Sequence, residues 1–203
     1  MSDSEMAMLG HGGMLMEGSP YSIPSRKLTM WLFIISDAVT FGAILFAYGY
    51  LRVATPDWQT PFNSASIINV ATMTFVLITS SLTMLGAVDA SKGGDKPKAL
   101  RFLGSTMLLG LIFAGLHIRE WFGLFDRGIK LSSGLFGQAF FSITGLHLLH
   151  VLIGVVALAV VARKYSSGGL TPGHVETTGL YWHFVDLVWM FVVPFVYLLN
   201  LAH

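Results

Sequence analysis

Five long apolar segments limit this chain to folds that cross a membrane. They occupy approximately residues 28–51, 64–90, 100–122, 135–162 and 178–201, and turn-forming residues such as Pro56, Gly93 and Gly94 lie between them. Each segment reaches the roughly 20 residues that a helix needs to cross the hydrocarbon layer of a bilayer. Only helices and closed barrels satisfy their backbone hydrogen bonds in lipid, and these segments lack the alternation of barrel strands. The sequence therefore predicts an all-α integral membrane protein, a bundle of five transmembrane helices.

The composition excludes several other classes of protein. Of the 203 residues, 54% are hydrophobic and 11% are charged, whereas soluble domains carry about 25% charged residues. A net charge of +1 gives no indication of a nucleic-acid partner. The chain has no cysteine, which excludes disulfides, cysteine-ligated zinc, iron–sulfur clusters and thiolate copper sites. Seven histidines remain as ligands for a transition metal.

The positions of lysine and arginine predict the orientation of the helices. Residues 1–27 are rich in Gly, Met and Ser and lack a signal-peptide core, so we expect a flexible cytoplasmic tail before a membrane domain at 28–203. Basic residues favour the cytoplasmic side of a membrane. Four basic residues fall on one side of the membrane: Arg52, Arg119, Arg127 and Lys130. Eight fall on the other side: Arg26, Lys27, Lys92, Lys96, Lys98, Arg101, Arg163 and Lys164. The N-terminus is therefore predicted in the cytoplasm and the C-terminus outside.

Ionisable side chains inside the apolar segments are the strongest indication of a function. Such a group costs about 2.5–3.5 kcal/mol on insertion scales, so it usually pairs with another group or belongs to a functional site. These side chains are Asp37 in the first segment, Glu120 at the end of the third, His147 and His150 in the fourth, and His183 and Asp186 in the fifth.

Three of the segments place such groups at a similar depth. At 1.5 Å per residue, Asp37 and Asp186 lie roughly 12–13 Å from the cytoplasmic ends of their segments, and the two histidines of the fourth segment lie roughly 17–20 Å in. His147 and His150 share one helix face, as do His183 and Asp186. If the helices are neighbours, these groups meet in one layer. The groups in this layer could pair with each other through hydrogen bonds or charge, exchange protons, or hold a metal. The residues alone leave these interpretations open.

Haem ligation and interfacial anchoring are further interpretations of particular side chains. His117 with His183, or His147 with His183, could hold a haem between two helices. His147 and His150 lie too close in sequence to bind the two faces of one macrocycle. Indoles concentrate at membrane interfaces, so we expect Trp182 near the cytoplasmic boundary.

Several motifs resemble one known family. Residues 175–189 read VETTGLYWHFVDLVW, which is similar to the YWHFVDxVW signature of subunit III of the haem-copper terminal oxidases, including the upstream Glu176. Residues 140–151, FFSITGLHLLHV, resemble the FFxxTGxHxxHV segment of that family. Residues 32–37, LFIISD, fit the first helix of its five-helix bacterial form, and residues 117–121, HIREW, resemble a motif of its third helix. The resemblance extends from Lys27 to the C-terminus.

The resemblance implies an accessory subunit of a bacterial aa3- or caa3-type cytochrome c oxidase, located in the inner membrane. That complex reduces O2 to water and pumps protons, whereas its subunit III is not catalytic and holds no haem or copper. It implies bound phospholipid and support for proton uptake and for the stability of subunit I. The implied partners are oxidase subunits I and II and phospholipids, within an assembly that can extend to a respiratory supercomplex, and no nucleic acid. The lipid- or proton-related candidates that carry over are Asp37, Glu120, His147, His150, Glu176, Trp182, His183 and Asp186.

Other functions stay open at this point. Asp37 stands where cytochrome c oxidases often have glutamate, and aspartate is common in quinol oxidases, so a quinol oxidase subunit III is the nearest alternative. A helper subunit of a nitric oxide reductase is a third option. Two alternatives belong to other classes of protein: a stand-alone proton or ion transporter, and a membrane cytochrome. The inverted repeats that many transporters have are not visible in the sequence.

Overall fold

The computed structural model describes residues 25–200 and confirms the prediction of five helices that are long and apolar enough to cross a membrane. The helices are α1 (Ser25–Ala54), α2 (Ser64–Lys92), α3 (Lys96–Asp126), α4 (Leu135–Ser166) and α5 (Pro172–Val192). A π-helical turn (Val193–Tyr197) and a 3-10 turn (Leu198–Asn200) follow α5. No strand is found within residues 25–200.

The tail expected at residues 1–27 falls mostly outside the described part of the chain. Residues 1–24 and 201–203 are not described, whereas Ser25, Arg26 and Lys27 form the first residues of α1. Two basic side chains therefore belong to the start of this helix rather than to a separate segment before it.

Side chains in the short breaks determine where two of the helices begin. Asn63 caps α2, because its side-chain oxygen accepts a hydrogen bond from the backbone N–H of Ser66 at 2.9 Å. Asp95 caps α3 in the same way through the N–H of Lys98 at 3.1 Å. Such caps satisfy N–H groups that the first turn of a helix leaves without partners. Gly94, with φ at 78°, supplies the left-handed residue that lets α2 turn directly into α3.

The helix α5 occupies the middle of the bundle. It packs against α1, α2 and α4, while α3 packs against α2 and α4. The most buried of the five helices is α5, and α1 is the least buried. On α1, the large apolar side chains of Val39, Phe46 and Val53 point outward, and Val53 is 85% exposed. The bundle therefore presents an apolar surface that lipid or a neighbouring subunit would cover.

The position of Trp182 in the bundle differs from the position predicted from the sequence. We expected its indole at the cytoplasmic interface, but it is 1% exposed, and its Nε1–H donates to the hydroxyl of Ser80 at 3.0 Å. A Cβ atom added at Gly110 of α3 would lie 2.6 Å from this ring, and one at Gly154 of α4 would lie 2.9 Å from it. The ring therefore lies against α2, α3 and α4, and a glycine on α3 and another on α4 make room for it.

The end of the last helix brings a tyrosine into the core. Pro194 has no backbone N–H, so it cannot continue the α-helical hydrogen-bond pattern of α5. The backbone widens into the π-helical turn, and Val196 and Tyr197 lie buried within it. The hydroxyl of Tyr48 on α1 donates to the carbonyl oxygen of Val196 at 3.4 Å, which links this turn to the first helix.

The space at Gly110 generates a stability prediction. We expect Gly110→Ala to lower the free energy of unfolding by about 1–3 kcal/mol relative to Gly115→Ala, because only the first new methyl group would collide with a packed indole. Nothing lies within 4 Å of a Cβ at Gly115, on the same helix. Both substitutions raise the helix propensity by the same amount, so the difference between their unfolding free energies measures the cost of the steric clash at Gly110. Thermal or denaturant unfolding of the purified protein in detergent measures it, and equal stabilities would contradict the packing described.

Candidate functional site

The ionisable groups of the bundle form separate clusters rather than one layer. Asp37 meets His150 between α1 and α4, and His147 lies in an aromatic cluster between α3, α4 and α5. His183 faces α2. Glu120 lies toward the other end of the bundle from Glu176.

The pair of Asp37 and His150 joins the first and fourth helices. Asp37 Oδ2 lies 3.1 Å from His150 Nε2, and the side chains are 19% and 13% exposed. This contact is not aligned with a ring N–H well enough to be a hydrogen bond, because Oδ2 has no hydrogen-bond partner. His150 Nδ1 lies 2.8 Å from the carbonyl oxygen of Leu146, which can only accept, so Nδ1 carries a proton.

The proton on Nδ1 limits the states that this pair can adopt. If the carboxylate were charged and Nε2 bare, a lone pair would face an anion at 3.1 Å, which is repulsive. One additional proton, on either Asp37 or His150, removes that repulsion and leaves the pair with no net charge. The two atoms therefore lie within the distance over which a proton can pass between a carboxyl group and an imidazole.

Aromatic side chains hold this pair in position. The ring of Phe41 on α1 meets His150 edge-on at 5.1 Å and His147 at 6.5 Å. The hydroxyl of Tyr181 on α5 donates to the backbone carbonyl of His150 at 3.1 Å. The three helices around the pair are thus tied together by groups other than the two ionisable side chains.

His147 and His117 pack as aromatic rings in the centre of the bundle. The imidazole of His147 stacks on Trp189 at 5.0 Å, and His117 stacks on Phe113 at 5.6 Å. Phe113 and Trp189 meet edge-on at 4.9 Å, so the four rings form one cluster. Both histidines are 0% exposed, and none of their ring nitrogens has a hydrogen-bond partner. The side chain of Trp189 is fixed by its Nε1–H, which donates to the Thr74 hydroxyl at 3.1 Å.

His183 and Asp186 share a helix face but do not bond to each other. His183 Nδ1 lies 2.6 Å from the hydroxyl of Ser81 on α2. Asp186 is 6% exposed, and within residues 25–200 its polar neighbour is the hydroxyl of Ser81, which is not aligned well enough for a regular hydrogen bond. The expected layer of three helices was therefore wrong in part, since only Asp37 and His150 meet. The periodicity within one helix predicts which residues share a face of that helix. It does not predict which neighbouring helix each of those residues will contact.

The surroundings of the histidines bear on the metal and haem interpretations. Within residues 25–200, no group of three or more His, Asp, Glu or Cys side chains could hold a metal ion. His117 and His147 are enclosed by aromatic rings, and His183 is engaged with Ser81. These contacts favour packing and hydrogen bonding over ligation for all three.

Glu120 belongs to a polar cluster near the C-terminal end of α3. Its Oε2 accepts from the Tyr197 hydroxyl at 3.3 Å and from the side-chain amide of Asn69 at 3.4 Å. The Oδ1 of Asn69 accepts in turn from Arg119 at 2.6 Å. Glu120 Oε1 is buried and has no hydrogen-bond partner.

Glu176 ties three helices together at the opposite end of the bundle. It lies 3.0 Å from Lys27 of α1 and 3.4 Å from Lys92 of α2. Beside it, the guanidinium of Arg26 contacts the imidazole of His174. The Glu176 side chain is 29% exposed, and such partly exposed ion pairs contribute little to stability. The Glu176 side chain therefore connects the start of α5 to the start of α1 and the end of α2.

Several partners in these clusters were not identified from the sequence. Asn69 and Tyr197 bind Glu120, and Ser80 and Ser81 bind Trp182 and His183. Asn69 could have been found, because an amide within an apolar segment is itself a signal. Ser80 and Ser81 are small residues within an apolar segment, and nothing in their spacing indicates a hydrogen bond.

The fold and these clusters define a class, a multi-pass membrane protein with ionisable groups buried between its helices. The family model described as Cytochrome c oxidase subunit III matches residues 21–201. The chain is 33% identical to Cytochrome c oxidase subunit 3 of Alkalihalophilus pseudofirmus, over 88% of each chain. It is 32% identical to Cytochrome bo(3) ubiquinol oxidase subunit 3 of Pseudomonas aeruginosa, over 84% of this chain and 83% of the relative.

A third relative has a different domain organisation. The Heme-copper oxidase subunit I+III of Aeropyrum pernix is 30% identical over 88% of this chain, which corresponds to 23% of the longer relative. These matches show that the chain belongs to the subunit III family of haem-copper oxidases. Together with the five apolar helices, they identify a multi-pass bacterial membrane protein that belongs to an enzyme complex.

Proposed function

We propose that the chain is the accessory subunit III of an aa3- or caa3-type cytochrome c oxidase, in which partner subunits reduce O2 to water and pump protons. The observation that carries this proposal is the 33% identity to a cytochrome c oxidase subunit 3 over 88% of both chains. The fused subunit I+III of Aeropyrum pernix supports subunit I as the direct partner, because one polypeptide there combines the two. Subunit II and a larger respiratory supercomplex complete the proposed assembly.

A quinol oxidase is the second candidate complex. The relative from Pseudomonas aeruginosa, named as a ubiquinol oxidase subunit, is nearly as similar at 32% identity. The aspartate at position 37 also agrees with that alternative. The partner subunit II decides between them, since a copper-dimer motif there would mean cytochrome c as the electron donor.

The haem and copper of the complex are assigned to the partner subunits. A chain without cysteine cannot build a thiolate-bridged copper centre. The two fully buried histidines, His117 and His147, are packed against aromatic rings on several sides. We assign to this chain a supporting role rather than a catalytic one.

Two features of the bundle support a role with protons and lipid. Asp37 Oδ2 and His150 Nε2 lie 3.1 Å apart, and a carboxyl–imidazole pair at this distance could store protons for an uptake path in subunit I. A groove of about 410 Å³ between α1 and α5 is lined by apolar side chains, among them Leu45, Phe191 and Phe195. We assign it to a phospholipid acyl chain, because the groove offers dispersion contacts and almost no polar groups.

The oxidase assignment predicts a specific optical result. The tagged chain should purify with haem bands in its reduced-minus-oxidised spectrum in mild detergent and lose them in harsh detergent, because haem would belong to a partner. Bands that persist on the isolated chain would make it a cytochrome. Bands absent from both preparations would favour a stand-alone transporter.

The orientation is a second proposal, with the N-terminus in the cytoplasm. Because the chain has no cysteine, a single introduced cysteine reports one position. We expect Asp57→Cys, in the exposed loop after α1, to react with a membrane-impermeant maleimide in intact cells. Ser167→Cys, in the exposed loop before α5, should react only after permeabilisation. The reverse pattern would invert the topology.

The carboxylate of Asp37 is expected to matter for sustained activity of the complex. Asp37→Asn keeps the size of the side chain but removes its ability to ionise, and so to take up or release a proton. We therefore expect a complex that assembles normally and inactivates several-fold faster during turnover. Asp89→Asn, at an exposed carboxylate near the same end of the bundle, is the matched control. Turnover and inactivation rate that are both unchanged in Asp37→Asn would exclude a functional role for this group.

A further inference from the structure

A histidine caps the first turn of α5. Thr171 is the residue before this helix, and His174 is the third residue within it. In a capping box this third position carries Glu or Gln, whose side chain accepts a hydrogen bond from the backbone N–H of the capping residue. Here His174 Nδ1 accepts that bond from Thr171 at 3.2 Å. The acceptor therefore belongs to the type of side chain whose charge ordinarily changes between about pH 5 and 8.

Arg26 of α1 contacts the same imidazole ring. Its Nη1 lies 2.8 Å from His174 Nδ1, and the guanidinium also reaches Nε2. A guanidinium only donates hydrogen bonds, so a ring nitrogen must offer a lone pair to accept from it. A neutral imidazole has one such nitrogen, whereas an imidazolium ion has none. The contacts with Arg26 and with the Thr171 N–H therefore both require an unprotonated His174.

The groups around the start of α5 offer little compensation for a proton on His174. The charged side chains on α5 and on the adjoining ends of the helices that pack against it are mostly basic: Arg26, Lys27, Asp89, Lys92, Arg163, Lys164 and Glu176. Glu176 is two residues further along the helix, so it faces away from His174, and it already contacts two lysines. The Thr171 hydroxyl, 3.1 Å from Nδ1, could accept from a protonated ring but carries no charge. A proton on His174 would therefore place a second cation beside Arg26.

These contacts join the most buried helix to the least buried one. Those helices are α5 and α1, respectively. Within residues 25–200, two polar contacts link the first turn of α1 to α5: Arg26 with His174, and Lys27 with Glu176. The second is a partly exposed ion pair, which contributes little to stability. Loss of the first contact would therefore leave the start of α1 weakly held.

We propose that His174 is a pH-sensitive latch between α1 and α5. Only the neutral imidazole caps α5 and holds Arg26, so both contacts are present above the range in which the ring takes up a proton and are lost as the pH falls through it. Protonation then loosens the first turn of α5 and releases the start of α1. This inference goes beyond the proposed function, because it requires only that this end of the bundle meets water. In the orientation proposed above, the latch senses the pH of the cytoplasm.

Hydrogen–deuterium exchange of the purified protein, followed by mass spectrometry, tests the latch. Peptides that cover the first turns of α5 and α1 are compared between the wild type and His174→Gln at about pH 8 and about pH 5.5, on either side of the usual titration of an imidazole. Gln keeps an acceptor oxygen at the capping position but takes up no proton. Comparison at equal pH cancels the effect of pH on the intrinsic rate of exchange.

The two proteins should exchange alike at the higher pH. At the lower pH both first turns should exchange about threefold faster in the wild type than in His174→Gln, a change of the size expected when a helix cap is lost. The first turn of α3, which Asp95 caps at the same end of the bundle, is the internal control and should not differ between the proteins at either pH. A ratio of wild-type to variant rates that is the same at both pH values would overturn the proposal, as would an equal change at α3.

Two substitutions on α1 separate the latch from the general charge of this end. Arg26→Met should speed exchange at the start of α1 already at the higher pH, and acidification should add little there. Lys27→Met loses the neighbouring contact with Glu176 but keeps the contact of Arg26 with His174, so it should retain the dependence on pH. If Lys27→Met abolished this dependence as fully as Arg26→Met, the link through Arg26 would be overturned.

Discussion

The central position of α5 is the constraint on which the rest of the structure depends. A helix packed against three others in lipid is stabilised when the polar groups it buries find partners in the protein, because no water is present to bond them. Two indoles of α5 find such partners: Trp182 donates to Ser80, and Trp189 donates to Thr74. Both acceptors lie on α2, so the same bonds that satisfy the indoles also fix the rotation of α5 against that helix. The bulk of Trp182 then separates α3 and α4 where each has a glycine.

The separation of the ionisable groups follows from this arrangement. With α5 in the middle, His183 faces α2, and Trp189 lies against His147 of α4. His150, one turn further along α4, reaches the peripheral helix α1 and meets Asp37 there. Each cluster therefore has its own surroundings: an enclosed aromatic core, a partly exposed pair at the edge, and a polar cluster around Glu120 at one end. A single proton path through the whole bundle does not result from such a distribution.

The positions of these clusters suit a subunit that supports a partner. The pair at Asp37 lies beside the least buried helix, α1, whose outer apolar face needs a neighbour. The rings around His147 give the bundle a closely packed aromatic centre. At the end of the bundle that carries Glu176, the contacts of this side chain with Lys27 and Lys92 join α1 to α5 and α2. A bundle of five apolar helices with ionisable groups buried between them agrees with membership of the subunit III family.

The sequence by itself determined the number of helices, the turns between them and the family. Long apolar segments have no other stable form in lipid, and motifs such as YWHFVDLVW are read directly from residue order. It also indicated Asp37, His150 and Glu120 as unusual, because charge in an apolar segment is costly. Only the tertiary structure decided that Asp37 meets His150, that Asp186 meets neither, and that Trp182 is buried rather than interfacial. Helical periodicity assigns a residue to a face, whereas the neighbour of that face depends on how five helices pack, which no single segment encodes.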